Sequence, residues 1–164
     1  MDCGAGDVKR QACRLTTQPA RPTIPCMHQM TTLGHDDAWK AINAIRNEIT
    51  RRGKAAVIAV ADPHGELIAL LRMDGVKLPS LNIAINKAFT AARNQSTSKS
   101  VGEKARDPDT GYDIAYMGDP RFVGWGGGVP VMKDGQCIGA IAVSGLPEAE
   151  DMEIVELGVQ AVLV

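Results

Sequence analysis

Aromatic residues are scarce in this chain: two Trp, two Tyr and two Phe make 4% of 164 residues. Its core must be filled by Ile, Val, Leu and Ala. An excess of one charge is also lacking, since 18 Lys and Arg stand against 19 Asp and Glu, a formal charge of −1. No whole-chain basic field exists to hold a nucleic acid or an anionic membrane. No apolar run approaches the roughly 20 residues that span a bilayer, and the first residues lack the apolar stretch of a secretory signal. A cytoplasmic protein without nucleic-acid or membrane partners is therefore expected. Cysteine is thin beyond the first residues: Cys3, Cys13 and Cys26 match no zinc spacing, and Cys137 sits in an apolar run where it reads as a small buried hydrophobe. Neither a disulfide framework nor a metal site is expected. The sequence has no GxxxxGK[ST], no GxGxxG leading from a strand into a helix, and no GxSxG, so nucleotide binding and serine hydrolysis have no motif support.

What is present is the composition of one soluble globular domain, 45% hydrophobic and 23% charged. Residues 1–32 carry Pro19, Pro22, Pro25 and three cysteines without apolar periodicity, and are expected to be an extension lacking regular structure. Met30 is a second candidate for the native first residue. The domain is expected over 33–164. Asp36 or Asp37 can cap a helix carrying Ala38, Ala41, Ile42, Ile45 and Ile49 on one face, with Gly53 as its stop. Two β-prone runs, 55–61 and 66–72, flank the turn Asp62-Pro63-His64-Gly65 and should pair as a hairpin. A second helix fits 80–93, and Ser100 with Glu103 reads as a capping box. Residues 107–128 are long and irregular, which marks a candidate site wall. Runs 129–133 and 136–144 flank Asp134-Gly135, a strong hairpin signal, and the second run is apolar on both faces, as a central strand would be. A terminal helix follows Pro147, with Glu148, Glu150 and Asp151 in its first turn. Hairpins dominate, so an α+β fold is expected, an antiparallel sheet covered by helices.

Three segments place polar groups where one concavity could gather them. Arg72 and Asp74 stand where the second strand runs out, as ligand-orienting charges or as a solvated strand end. Lys87 lies on a largely apolar helix, where an ammonium either holds a carboxylate, acts as a base of lowered pKa, or snorkels to water. Gly126, Gly127 and Gly128, with Ser144 and Gly145 returning beside them, allow close approach to backbone N–H groups or else form a bend entering the sheet. His28, His35 and His64 are not spaced to chelate one metal.

The stretches VIAVADPHGELIALLRMDG (57–75), SLNIAINKAFTAA (80–92), GGGVPVMKDGQCIGAIAVSG (126–145) and PEAEDMEI (147–154) together resemble the GlcG/HbpS family, which includes the C-terminal domain of PduO-type adenosyltransferases. The resemblance implies a profilin-like fold with about five antiparallel strands and homo-oligomers from dimer to octamer. It also implies a small-molecule ligand, with heme or a related tetrapyrrole among the expected cofactors. No shared motif position assigns the axial ligand, so His35 and His64 stand as the candidates. Where members often carry Ser-Gly-Gly, this chain has Ser144-Gly145-Leu146, and its 107–125 segment is longer and more polar, which favours a small polar ligand. The alternative to a binding protein is a lyase, isomerase or hydrolase of a catabolic pathway, with Lys87 and Asp74 as its acid–base groups beside the glycine-lined backbone.

Overall fold

The computed structural model describes residues 29–164. The N-terminal cysteines and His28 lie outside them. Helix α1 (His35–Arg51) buries the apolar stripe Ala38, Ala41, Ile42, Ile45 and Ile49. Its cap differs from expectation: the helix starts after Gly34, whose N–H donates to Asp37 Oδ2 at 3.1 Å, so Asp37 serves three residues into the helix rather than as its cap. Strands β1 (Val57–Ala61) and β2 (Leu67–Arg72) form the first hairpin. Helix α2 (Pro79–Asn94) leads into α3 (Ser98–Ala105), which is capped by Thr97 rather than Ser100, the Thr97 hydroxyl accepting from the Ser100 N–H at 3.2 Å. The second hairpin joins β3 (Gly128–Lys133) and β4 (Gln136–Ser144) through Asp134 and Gly135, both at positive φ (49° and 77°), the geometry this two-residue turn requires. Helix α4 (Glu148–Leu163) closes the chain.

The strands make one antiparallel sheet in the order β2-β1-β4-β3. Among the described residues there are four strands, not about five. Residues 107–127 carry Pro108, Pro120 and turn-forming Asp and Gly, and they wind into a short 3-10 turn, Ile114–Met117, instead of pairing. The central strands β1 and β4 are covered on both faces. Ile58, Val60, Ile141 and Val143 join the cluster that includes the buried stripes of α1 and α4, whereas Val57, Ala59 and Ala142 pack with Ala84 and Ala88 of α2. The α2 face is thus lined by small side chains, so helix backbone and sheet backbone come close. At Gly128 a Cβ would collide with the Lys87 carbonyl. That proximity positions the site.

Candidate functional site

Lys87 lies on the sheet-facing side of α2 and is 2% exposed. With little side-chain bulk between helix and sheet, its stem runs to the end of β4, where Nζ donates to the Val143 carbonyl at 2.9 Å. It also donates to Asp151 Oδ2 at 2.8 Å. Asp151, equally buried, sits in the first turn of α4, so this ion pair ties the helix on one face of the sheet to a helix on the other. Its other oxygen, Oδ1, accepts from the Leu146 N–H at 3.2 Å. Burial pushes the Asp151 carboxyl above the usual carboxylate range, against the opposing pull of Lys87 and the nearby amides. An ammonium has three N–H donors, and two are used here, leaving one for another acceptor.

The glycine corner wraps this pair. Gly127 has φ 107°, and a Cβ there would lie 2.8 Å from Asp151 Cβ and 3.1 Å from Lys87 Nζ, so only glycine fits both the conformation and the space. The Gly126 N–H donates to Glu148 Oε1 at 2.6 Å. Ser98, buried at the start of α3, donates to the Trp125 carbonyl and accepts from the Gly128 N–H. Thr90 accepts from the Val123 N–H at 3.0 Å. The irregular segment is therefore fastened from three elements: α2, α3 and α4.

A cavity of about 200 Å³ opens over the pair, lined among others by Lys87, Asp151, Ser144, Gly145, Glu148 and Trp125. A second, of about 450 Å³, lies beneath the 107–125 segment and is lined by Arg106, Tyr112, Phe122, Val123 and, again, Trp125. Trp125 borders both. Its side is largely open to solvent, at 64% exposure.

Of the residues singled out from the sequence, Lys87, Ser144 and Gly145 line the small cavity, Gly127 presses against its ion pair, and Gly126 and Gly128 hold the surrounding backbone. Arg72 and Asp74 do not join them. Arg72 pairs with Val57, which pairs with Ser144, so the register is right but β2 lies two strands out, roughly 10 Å away at sheet spacing. Both residues are exposed, and neither borders the cavity. The carboxylate that meets Lys87 is Asp151. The signal for it was available: Asp151 falls in line with Ile154, Val155 and Gly158, an acid at the head of a buried helical stripe. His35 is 82% exposed at the start of α1, His64 is exposed in the β1–β2 turn, and neither borders the two cavities. Cys137 is buried, and burial raises its thiol pKa, which suppresses thiolate reactivity. Among the described residues no three His, Cys, Asp or Glu side chains are grouped to hold a metal, and no helix is long and apolar enough to cross a membrane.

Comparison with known proteins agrees with this architecture. Protein GlcG of Escherichia coli K12 is 36% identical over 118 residues, covering 72% of this chain and 85% of GlcG. Among solved structures, protein ORFY of Klebsiella pneumoniae superposes with a TM-score of 0.80 at 24% identity, over 86% of this chain and 97% of ORFY. A PduOC:heme complex superposes with a TM-score of 0.73 at 23% identity, over 80% of this chain and 95% of that one. At such identities the two structures establish the fold. Residues 33–160 match the family described as haem degrading protein HbpS-like, and the chain belongs to that family.

Proposed function

We propose that this HbpS-like protein binds a small molecule at the Lys87–Asp151 cavity, and that the ligand presents a carbonyl or similar neutral acceptor rather than a full negative charge. The observation that carries the reading is the buried ammonium with one N–H left over, facing a cavity whose other ionisable walls are Asp151 and Glu148. An anionic head would meet two carboxylates in a site of reduced dielectric. A carbonyl accepts from Lys87 without that repulsion, and a neighbouring amide or hydroxyl proton on the ligand can be given to Glu148. The size of the cavity suits a compact head group. Titration calorimetry with propionamide tests this: binding heat is expected with the wild-type protein and not with the Lys87→Met/Asp151→Leu double variant, which replaces the pair without orphaning either charge. Equal heats from both proteins would end the reading.

A second reading, heme binding, is favoured by membership of the HbpS-like family and by the heme complex of PduOC. The small cavity does not fit a macrocycle, and His35 and His64 stand away from both cavities. The larger cavity fits better: Phe122 and Trp125 offer apolar walls, Arg106 a partner for a propionate, and Tyr112 a phenol oxygen for the iron. Heme would supply redox and oxygen chemistry that these side chains lack. Hemin titration followed by absorbance checks it. A saturable, one-to-one shift of the Soret band that Tyr112→Phe alters supports the reading, and a spectrum matching free hemin refutes it. Assembly into homo-oligomers belongs with the same family reading, and sedimentation or size exclusion with light scattering reads it directly.

A further inference from the structure

The two cavities share one wall. Trp125 lines the 200 Å³ chamber over Lys87 and also the 450 Å³ chamber under the 107–125 segment. Its backbone is fixed from both sides, by Ser98 on its carbonyl and, one residue on, by Glu148 on the Gly126 N–H. The chambers differ in chemistry. The smaller one ends in a buried ion pair, whereas the larger is walled by Tyr112, Phe122, Val123 and the Arg106 guanidinium. Phe122 is itself held edge-on against Phe89, with ring centroids 5.1 Å apart, so its ring is a fixed wall. In a chain with only six aromatic residues, three border one cavity. Arg106 adds a flat cation that stacks on π systems.

We infer that the two chambers form one composite site for a ligand with a carbonyl head and a planar aromatic tail, the head at Lys87 and the tail lying across Trp125 into the larger chamber. This rests on the reading of the Lys87 cavity given above and adds the ligand class. The aromatic tail supplies the apolar burial that the small cavity does not offer, and the head sets orientation. Glu148, which lines the small chamber and holds the Gly126 N–H next to Trp125, also selects charge: it disfavours a carboxylate and accepts from the N–H of an amide.

The experiment uses the full chain with Trp39→Phe, which removes the other indole, exposed on α1 and outside both cavities, so that emission reports Trp125. The probes are propionamide, 3-phenylpropionamide and 3-phenylpropionate, followed by Trp125 fluorescence and calorimetry. The phenyl amide is expected to bind about tenfold more tightly than propionamide, as partial burial of one ring allows, and to shift Trp125 emission. Ala105→Phe, which places a ring in the larger chamber from the end of α3, should reduce that ratio to about one. Glu148→Gln should bring 3-phenylpropionate up toward the amide. The Lys87→Met/Asp151→Leu variant should lose both amides, and circular dichroism checks that it is folded.

Equal, Lys87-dependent affinities for the two amides would overturn the composite site and leave the compact site standing. Absence of binding by either amide would overturn both. Tight binding of the phenyl amide that Ala105→Phe does not touch would place the tail elsewhere and also overturn the inference.

Discussion

Strands β1 and β4 send Ile58, Val60, Ile141 and Val143 toward α1 and α4, and Val57, Ala59, Ala140 and Ala142 toward α2. These are alternate residues of the same two strands, separated only by the two-residue period of the sheet. On the first face, branched side chains interlock with Ile42, Ile45 and Ile49 of α1 and with Ile154 and Val155 of α4. On the second, α2 answers with Ala84, Ala88, Ala91 and Ala92. The bulky face holds the fold together by buried apolar volume. The small-residue face gives up some of that volume and gains proximity: helix backbone meets Gly128, and a lysine stem fits in the layer and delivers its ammonium to the end of the sheet. A fold can thus separate stability from site-building by side-chain size on alternate positions of two strands.

The largest test of this contrast is Lys87→Met. On the small-residue face it removes one charge and leaves Asp151 buried without its ion partner, which should cost about 4 kcal/mol, as broken buried pairs do. The Lys87→Met/Asp151→Leu double variant should recover most of that loss in urea unfolding, because no orphaned charge remains. Additive losses would mean that the pair is not the coupled unit described here. Next in size is Ile141→Ala on the bulky face, expected to cost about 3 kcal/mol through lost burial and a cavity that α1 and α4 cannot close. Its ligand affinities should be unchanged as long as the protein is folded, since Ile141 borders neither chamber.

Much of this arrangement is legible in the amino-acid sequence. The α1 stripe from Ala38 to Ile49, both hairpins with their turns, and the double-sided burial of 137–143 follow from local periodicity and turn chemistry, which act over a few residues. Strand order does not. Whether Arg72 lies beside Ser144 or two strands from it depends on β4 pairing with β1, a contact between residues more than seventy apart in the chain. Local pattern therefore groups Arg72 and Asp74 with Lys87, whereas the strand order leaves both exposed. In the sequence Asp151 is one of three acids that suit the positive end of a helix, a role that does not distinguish it from Glu150, which pairs with the exposed Lys54. Only its alignment with Ile154, Val155 and Gly158 sets it apart, and the partner facing that stripe comes from another layer. A fifth strand is implied only by the family resemblance, and the prolines of 107–127 argue against it.

A third, smaller effect sharpens the claim of proximity. Gly128→Ala adds a single carbon on the small-residue face, at a position where it would meet first the Lys87 backbone, at its carbonyl oxygen, and then the Ser98 hydroxyl at 2.9 Å. Overpacking of this kind should cost about 2 kcal/mol and push α2 outward, lengthening the Lys87 contact with Val143. Nuclear magnetic resonance shifts of the α2 amides would read the displacement. A variant with wild-type stability and shifts would show that helix and sheet are not in close contact there.

The smallest effect separates the carboxylates of the two regions by the sign of their titration. On the bulky side, Glu48 at the end of α1 accepts from Arg51 and from Arg52 at 2.7 Å, and Arg52 also reaches Glu153 of α4 at 2.7 Å. The two guanidiniums lower the Glu48 pKa from 4.5 to about 2. Folded Glu48 therefore binds its proton more weakly than unfolded Glu48. Its contribution to stability is complete above about 4.5 and is lost as pH falls through about 2. Asp151 has the opposite displacement, raised by burial, so the folded state keeps its proton to higher pH than the unfolded state and stability from that group declines as pH rises through the folded value. Urea midpoints measured from pH 2 to 7 should accordingly show a rise with pH in the wild-type protein between about 2 and 4.5 that Glu48→Gln flattens. The same substitution should leave propionamide binding at Lys87 unaltered, because Glu48 is fixed to α1 and α4 on the far side of the sheet from α2. A slope untouched by Glu48→Gln would mean that the Glu48–arginine clasp forms in the folded structure without favouring it.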